Sequence, residues 1–362
     1  MKPGVILGFG EIMGRVSMPG FLRFGQAMPG RVDMDFAGAE ANTLGFLATL
    51  GHDARLVTAL PANEIGDACV AALRQRGVGT SAILRTDVGR LGLYFLEKGS
   101  GQRPGNVVYD RAGSSVALTP GESYGWEGLL EGAAWLHLTG ITPALSEVAA
   151  DANVLAARAA RARGIPVSCD LNPRSKLWRW RPGTSPEDLA REHMLRVIPH
   201  VTHLVGGPED LALMLGVDAG RADAGGDPEP RELRWARAAM AAFPWLAAVG
   251  MTRRNAPNAS EVGWSGFMLD GRTGQHHAAP LDASGQWSQH EIRHVVDRIG
   301  TGDAFTAGLI HGWVTGAEPG WSVAFATAAS CLAHSVEGDA CVVTRAEVEA
   351  LMAGSGGGRV RR

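Results

Sequence analysis

The chain has 362 residues, enough for one large α/β domain or two smaller ones. Its formal net charge of −3 argues against a binder of duplex nucleic acid or of a membrane surface, because either would need a basic face. The four cysteines form no C-x-x-C pair, so no zinc or redox site is indicated. Residues 1–16 do not resemble a signal peptide, and no stretch reaches the ~18–20 apolar residues of a membrane helix. We therefore expect a cytoplasmic protein.

Strands and helices alternate along most of the sequence. The apolar runs predict strands at 4–9, 54–60, 134–138, 165–170, 202–206 and 246–251, with a β-rich stretch from there to 297. Helices are predicted at 39–50, 66–77, 146–163, 302–315 and 321–335. This order predicts an α/β fold with a mostly parallel central sheet covered on both faces. Residues 219–232 have the composition of a surface loop, and the tail 351–362 that of a flexible end.

One segment interrupts this alternation. Residues 91–96 and 106–111 flank a Gly- and Pro-rich turn and predict a hairpin, which does not belong in a parallel sheet. With residues 14–37 it predicts a small accessory sheet beside the main domain. A two-stranded hairpin is marginal in water, so this one needs neighbours on both sides. We predict that 14–37 supplies one neighbour and the second subunit of a homodimer the other. The alternative is a monomer whose accessory sheet packs only on its own body.

The segment DRIGTGDAF at 297–305 carries the strongest chemical signal. Gly300, Thr301 and Gly302 precede Asp303 at the start of an apolar helix, where several backbone N–H groups can converge on an anion. A carboxylate in such a cradle repels a phosphate that is merely bound. It is useful if it deprotonates a hydroxyl that attacks a phosphoryl group held there. The alternative from the local sequence is that Asp303 only caps the helix after a glycine turn.

The longer segment DRIGTGDAFTAG resembles the C-terminal signature D-T-x-G-A-G-D-x-F of the ribokinase-like sugar kinases, the PfkB family. FAGAEANTLGFLATLG at 36–51 is similar to that family's Gly-Gly-x-x-x-Asn signature, with Ala37 in place of the first glycine. Within the family, the 2-keto-3-deoxygluconate kinases are the most similar, through 10–27, 92–114, 170–178 and 336–349. The resemblance implies one ribokinase-like α/β/α domain over 1–350. Its accessory sheet, from about 12–37 and 88–112, would be a lid.

The resemblance also implies a reaction. ATP with Mg²⁺, and with room for a monovalent cation, would phosphorylate the primary hydroxyl of a sugar acid, with 2-keto-3-deoxygluconate as the best-matched substrate. Asp303 would be the base, and the amides of Gly300, Thr301 and Gly302 would form the anion hole. A sugar acid carries a carboxylate, which the paired donors of arginine suit well. The implied substrate-binding residues are Gly38, Asn42, Tyr94, Tyr109, Arg111, Arg174 and Asp339. Arg15 falls at a further matched position.

The nucleotide and metal sites match the family less closely. Nucleotide contacts are implied at Thr252, Arg253 and Ala328. The asparagine that organises magnesium in the family falls at Gly207 here and is followed by a proline. Glu209 and Asp210 remain, and they could hold magnesium through water. Alternatively, these two carboxylates only favour the N-terminus of a helix.

Three other functions stay open from the sequence. The first is another sugar kinase of the same family, of the fructokinase or ribokinase type. The second is a non-catalytic regulator that binds a sugar or nucleotide on the same scaffold, for which the loss of asparagine at Gly207 is the only support. The third is a nucleotide-dependent dehydrogenase, suggested by the Gly8-Phe9-Gly10 turn, although the spacing does not complete G-x-G-x-x-G.

Overall fold

A computed structural model describes residues 4–220 and 229–354. Its strands are β1 Val5–Phe9, β2 Met13–Ser17, β3 Asp33–Ala37, β4 Ala54–Pro61, β5 Ile83–Thr86, β6 Leu93–Glu97, β7 Asn106–Asp110, β8 Ala133–Thr139, β9 Val167–Asp170, β10 His203–Val205, β11 Ala248–Asn255, β12 Val262–Asp270, β13 His276–Ala279 and β14 His290–Ile292. Its α-helices are α1 Phe24–Ala27, α2 Ala39–Thr49, α3 Glu64–Gln75, α4 Ser115–Leu118, α5 Trp126–Leu129, α6 Glu147–Ala162, α7 Pro186–Val197, α8 Pro208–Leu215, α9 Arg231–Ala242, α10 Thr301–Thr315, α11 Pro319–Ala333 and α12 Arg345–Met352.

The central sheet is mostly parallel, as predicted. Its strand order is β13-β12-β11-β10-β9-β8-β1-β4-β5, with β14 pairing to β12. All neighbours from β11 to β5 run parallel, whereas β12 is antiparallel to β11 and β13 is antiparallel to β12. The antiparallel strands come from the β-rich stretch before residue 297.

Helices cover both faces of this sheet because the strands are apolar on both faces. In β1, Leu7 and Phe9 join a core cluster with the alanines of α6, whereas Ile6 joins the cluster that contains Leu44 of α2 and Ile310 of α10. Successive residues of a strand point to opposite faces, so one strand serves two cores. The predicted three-layer ribokinase-like α/β/α architecture is confirmed.

A separate four-stranded sheet has the order β3-β2-β6-β7 and is called the lid sheet below. The pairs β2–β3 and β6–β7 are antiparallel, and β2 pairs in parallel with β6. The predicted hairpin therefore gains its inner neighbour from the segment 14–37. Among the described residues, no further strand pairs with the outer edges of β3 and β7.

The structure departs from the sequence predictions in a few elements. Strand β5 and helices α7 and α9 were not predicted. The loop expected at 219–232 ends earlier, because α9 begins at Arg231, and residues 221–228 lie outside the described residues. Helix α12 extends into the expected tail to Met352, and 355–362 are likewise outside the described part. Among the described helices, none combines the length and apolar character needed to cross a membrane.

The carboxyl ends of the central strands meet at one edge of the sheet. Thr139, Asp170, Val205 and Gly250 stand side by side there, on β8, β9, β10 and β11. In open α/β sheets, ligands bind outside these ends. The segments that follow the strands therefore build the candidate site.

Candidate active site

A glycine turn positions the predicted base. Helix α10 begins at Thr301, and Gly300 is its N-cap with φ of 82°, the left-handed region that favours glycine. The Ser330 hydroxyl donates to the Thr301 carbonyl at 2.6 Å and ties the turn to α11. Asp303 is the third residue of the helix, so Gly300 and not Asp303 occupies the capping position. The simple capping role left open by the sequence is wrong.

The two sequence signatures meet at Asp303. The Asn42 side-chain N–H donates to Asp303 Oδ2 at 2.7 Å, and both side chains are buried. Burial raises the pKa of Asp303 to about 7, against the opposing effect of the Asn42 hydrogen bond. The negative charges of Asp339 and Glu40 raise it further, and Arg174 opposes them. A carboxyl with such a pKa can accept a proton near neutral pH.

Asp303 lies in a cavity of about 820 Å³, called the Asp303 cavity below. One wall is the lid sheet and its hairpin loop, including Lys98, Gln102 and Val107. Other walls come from 172–174, from 256–259 and from 295–302. The volume is in the range of sites that bind small molecules and cofactors. The cavity therefore spans the lid sheet, the Gly300 turn and the loop after β11.

This cavity is lined by four further carboxylates, those of Glu97, Asp170, Asp210 and Asp297. Asp170 ends β9, and burial together with the charges of Asp303 and Asp210 raises its pKa well above the usual range. Asp210 lies in the first turn of α8 and accepts the Gly207 N–H at 2.7 Å. Burial also raises the pKa of Asp210, despite this hydrogen bond. The cavity thus concentrates negative charge that a cation would relieve.

Two guanidinium groups face the same cavity without a hydrogen-bonding partner among the described residues. They belong to Arg174, in the loop after β9, and to Arg254, at the end of β11. Asn172 and Arg174 have φ values of 30° and 40°, which non-glycine residues rarely adopt. Such backbone conformations are costly and concentrate at ligand sites. The loop therefore holds Arg174 at the cavity in a conformation that is typical of ligand sites.

Three predicted sugar contacts in or next to the lid sheet, Tyr94, Arg111 and Asp339, are buried and already paired. The Tyr94 hydroxyl donates to Asp339 Oδ2 at 2.6 Å. Arg111 Nε donates to Glu11 Oε2 at 2.5 Å, and its guanidinium carbon lies 5.8 Å from the Tyr109 ring centroid. Of these residues, only Tyr109 is not fully buried.

Gly38 lies directly before α2, and its N–H donates to Asn42 Oδ1 at 3.4 Å. A side chain at Gly38 would overlap the Glu11 carbonyl oxygen. The position therefore requires glycine for close packing of backbone against backbone, and this packing places Asn42 one turn into the helix.

Several predicted sugar contacts do not line the Asp303 cavity, namely Gly38, Asn42, Tyr94, Tyr109, Arg111 and Asp339. Three predicted nucleotide or metal contacts are also absent from its lining. Glu209 is exposed and pairs with Arg231, whereas its neighbour Asp210 lines the cavity. Arg253 pairs with Glu232, and its guanidinium carbon lies 4.5 Å from the Trp287 ring centroid. Since alternate residues of a strand face opposite sides, Thr252 and Arg254 line the cavity instead.

The third is Ala328, which is buried in α11 and lines a different cavity together with Trp287 and His290. His334 lines the Asp303 cavity. The two positions are about six residues apart, which corresponds to a rotation of roughly 600° around a helix. Because this is not a whole number of turns, the two side chains point to different sides.

Sequence reasoning missed Asp170, Asn172 and Arg254 as cavity residues. The first two lie in the matched stretch 170–178, in which the sequence analysis selected only Arg174. A polar run directly after a buried strand was the available signal. Arg254 differs from its neighbour Arg253 only in the face of β11 on which its side chain lies.

A buried carboxyl at a glycine-bounded helix N-terminus is typical of a phosphotransferase site on a ribokinase-like fold. So are guanidinium groups in the same cavity that have no hydrogen-bonding partner among the described residues. The model of the pfkB family carbohydrate kinases matches residues 23–228 and 280–345. The chain belongs to this family and is a carbohydrate kinase. Membership implies that ATP is the phosphoryl donor.

Characterised relatives extend over most of the chain. A 2-dehydro-3-deoxygalactonokinase from Haloferax volcanii is 30% identical over 350 residues, 97% of each chain. A 2-dehydro-3-deoxygluconokinase from Thermoproteus tenax is 28% identical over 308 residues, 84% of this chain and 80% of that protein. The crystal structure of 2-dehydro-3-deoxygluconokinase from Thermotoga maritima has a TM-score of 0.86 and 36% identity, covering 97% of this chain and 99% of that one.

Proposed function

We propose that the protein is an ATP-dependent sugar-acid kinase that converts 2-keto-3-deoxygluconate, or a close epimer, to its 6-phosphate. The names of the similar proteins above support a 2-keto-3-deoxy sugar acid. The observation that carries the proposal is the placement of Arg174. Its guanidinium has no hydrogen-bonding partner in 4–220 and 229–354 and lines the same cavity as Asp303, where it can hold a substrate carboxylate with two parallel hydrogen bonds.

The mechanism follows from the Gly300 turn. Asp303, with a pKa of about 7, takes the proton of the primary hydroxyl as that oxygen attacks the γ-phosphorus of ATP. The bond from that phosphorus to the β-phosphate oxygen breaks, and ADP is the leaving group. Asn42 holds one Asp303 oxygen, so the other is left for the substrate. The N–H groups at the start of α10 point toward the transferring phosphoryl group and stabilise its charge. Thr252 and Arg254 line the part of the cavity near 256–259, where they can contact the nucleotide.

Magnesium is expected with ATP, and the carboxylates of the cavity fit it. Asp170 and Asp210 are the proposed holders, because each has a pKa raised by burial and by neighbouring negative charge. No three His, Cys, Asp or Glu side chains in 4–220 and 229–354 are grouped to hold a metal by themselves. Mg²⁺ commonly keeps several waters and binds through one or two carboxylates and phosphate oxygens, which suits this arrangement.

The proposal is tested by ADP release over a panel of sugar acids and neutral sugars. We expect turnover with a 2-keto-3-deoxy sugar acid at a kcat/KM at least tenfold above that with fructose or ribose. A preference for a neutral sugar would support the fructokinase or ribokinase alternative. No sugar-dependent ADP release with any member would support the non-catalytic regulator.

The carboxylate contact predicts the effect of Arg174→Ala. We expect KM for the sugar acid to rise roughly 10–100-fold, because a charged partner is lost, while KM for a weakly used neutral sugar changes less than about threefold. Steady-state kinetics with both substrates measure the difference. Lys176→Ala is the matched control, since Lys176 is an exposed cation of the same loop that does not line the cavity. An equal change with acid and neutral sugar would contradict the assigned role.

We also propose a cytoplasmic homodimer that pairs through the lid sheet. All four cysteines are free thiols, as is usual in a reducing compartment. The outer strands β3 and β7 carry exposed apolar side chains, Met34 at 51% and Val108 at 47% exposure. Unpaired edges with exposed apolar groups favour association. Sedimentation at micromolar concentration should give about twice the 38.0 kDa of one chain, and a single-chain species throughout would refute the dimer.

A further inference from the structure

Arg15 is a buried arginine of the lid sheet that reaches into the main domain. It lies on β2, directly opposite Tyr94 of β6, and is 2% exposed. Its two terminal nitrogens donate to different carboxylates, one to Asp297 and the other to Asp339. Both partners are also buried. A single side chain thus joins the lid sheet to the two segments that border the Gly300 turn.

Asp297 holds the segment that leads into this turn. Its Oδ1 accepts the N–H of Arg298 at 2.8 Å and that of Ile299 at 3.2 Å. Its Oδ2 accepts the Gly338 N–H at 3.3 Å in addition to Arg15. The carboxylate therefore fixes the two residues before Gly300, and Arg15 fixes the carboxylate.

Asp339 borders the same turn from the other side. Its carbonyl lies so close to Gly300 that a side chain there would overlap it. Its carboxylate accepts from Tyr94 and Arg15, and its negative charge is one of the causes that raise the pKa of Asp303. A displacement of Asp339 would therefore change both the shape of the turn and the field at Asp303.

Stability alone does not explain this arrangement. Burying a guanidinium and two carboxylates costs several kcal/mol of desolvation for each ion, and apolar replacements of such groups are often neutral or stabilising. Geometry offers a better account, because the planar fork of arginine can hold two carboxylates at fixed separation. The separation held here is that between the segments on either side of the anion cradle.

We propose that Arg15 is a positioning residue for phosphoryl transfer, which holds Asp297 and Asp339 so that the Gly300 turn and Asp303 are aligned when the lid sheet is docked. This proposal rests on the proposed role of Asp303, but not on the identity of the sugar. Arg15 acts through its two partners and does not touch the reacting atoms.

The first test is Arg15→Met, assayed at a temperature at which circular dichroism shows the variant to be folded. We expect kcat to fall roughly 10–100-fold, because a misplacement of about 1 Å can cost that much. KM for ATP should stay within about twofold, since the anion cradle acts mainly in the transition state. A purely structural arginine would change the unfolding midpoint and leave kcat of the folded enzyme intact, and that result would overturn the proposal.

Arg76→Met is the matched control. Arg76 is another guanidinium that ties the lid sheet to the body, donating to Asp35 and to the Phe36 carbonyl at 2.7 Å each. It makes no hydrogen bond to Asp297 or Asp339. We expect kcat of Arg76→Met to stay within about twofold of wild type. Equal losses in the two variants would mean that lid docking alone matters, and the positioning of Asp297 and Asp339 would be refuted.

Arg15→Lys keeps the proposal testable if the methionine variant does not fold. Lysine retains the buried charge but is a point donor and not a fork, so we expect a folded enzyme with kcat reduced about tenfold. Full activity of the lysine variant would overturn the proposal.

The assay also separates this proposal from the proposed function. If wild type prefers a neutral sugar, only the substrate proposal fails and the Arg15 variants are assayed with that sugar. If wild type phosphorylates no sugar, both fail.

Discussion

Replacing Asp303 by asparagine is expected to lower kcat by about 10²–10⁴-fold, the usual contribution of a general base. Binding should survive, because the asparagine oxygen can still accept the Asn42 N–H that Asp303 accepts at 2.7 Å. Turnover is measured by ADP release, and binding of the sugar acid by calorimetry. Loss of turnover without loss of affinity would identify a group that acts in the chemical step.

Asp170→Asn is the control for this experiment, since it removes another carboxyl that lines the same cavity and has a raised pKa. It should weaken the handling of magnesium, and added Mg²⁺ should restore part of the activity. Added Mg²⁺ should restore none in Asp303→Asn. Retained turnover in Asp303→Asn would show that the base has been assigned to the wrong residue.

The Asp303→Asn variant should also be more stable than wild type at alkaline pH. Burial raises the pKa of Asp303 from 3.8 to about 7 in the folded protein, so the charged form destabilises the fold above pH 7. The difference between the two pKa values sets an upper limit of roughly 4 kcal/mol. Asp303→Asn should therefore unfold at higher temperature than wild type at pH 8. This advantage should shrink as pH falls through 7 and vanish below 3.8, where the carboxyl is protonated in both states.

Much of the fold and the centre of the site could be predicted from the sequence because their signals are local. Apolar runs separated by helical patterns specify a parallel sheet, and Gly300-Thr301-Gly302 marks a helix N-terminus that approaches an anion. The resemblance to sugar kinases then placed Asn42 and Asp303 together across 261 residues of sequence. The local sequence around Asn42 or around Asp303 does not by itself predict this contact.

Other features depend on side-chain phase, which local patterns do not fix. Arg253 and Arg254 are neighbouring residues of the same type. On β11 the first side chain faces Glu232, whereas the second faces the cavity. Ala328 of α11 and His334, which caps the C-terminus of that helix, likewise face different cavities. Strand and helix boundaries predicted to within a few residues are too coarse to settle either case.

The role of Arg15 illustrates a further limit. The sequence places it on the predicted lid, but its partners lie 282 and 324 residues away, at Asp297 and Asp339. Only tertiary structure shows that a lid arginine is enclosed by two acids beside the anion cradle. The helix α7 was missed for another reason. Its buried residues Leu189, Met194 and Val197 recur at helical spacing, but the charged residues between them leave no continuous apolar run.

Gly300→Ala is expected to damage both stability and activity, because the position has two separate requirements for glycine. Its φ of 82° costs an L-residue about 1–2 kcal/mol. An added Cβ would also overlap the carbonyl oxygen of Asp339, so the backbone of one segment must move. We expect the free energy of unfolding to fall by roughly 2–4 kcal/mol, measured by urea denaturation. The displaced turn should lower kcat at least about 100-fold, the effect of losing one donor to a developing anion.

Gly302→Ala separates the effect on stability from the effect on turnover. Gly302 lies within α10, and an added Cβ there has no atom of the described residues within 4 Å. Alanine should leave stability unchanged or raise it by up to about 1 kcal/mol, because it favours the helix. If the open space beside Gly302 is where the transferring phosphoryl group lies, this stable variant should still lose turnover. Wild-type turnover in Gly302→Ala would place the phosphoryl group elsewhere. Wild-type stability in Gly300→Ala would show that the contact with Asp339 does not constrain the turn.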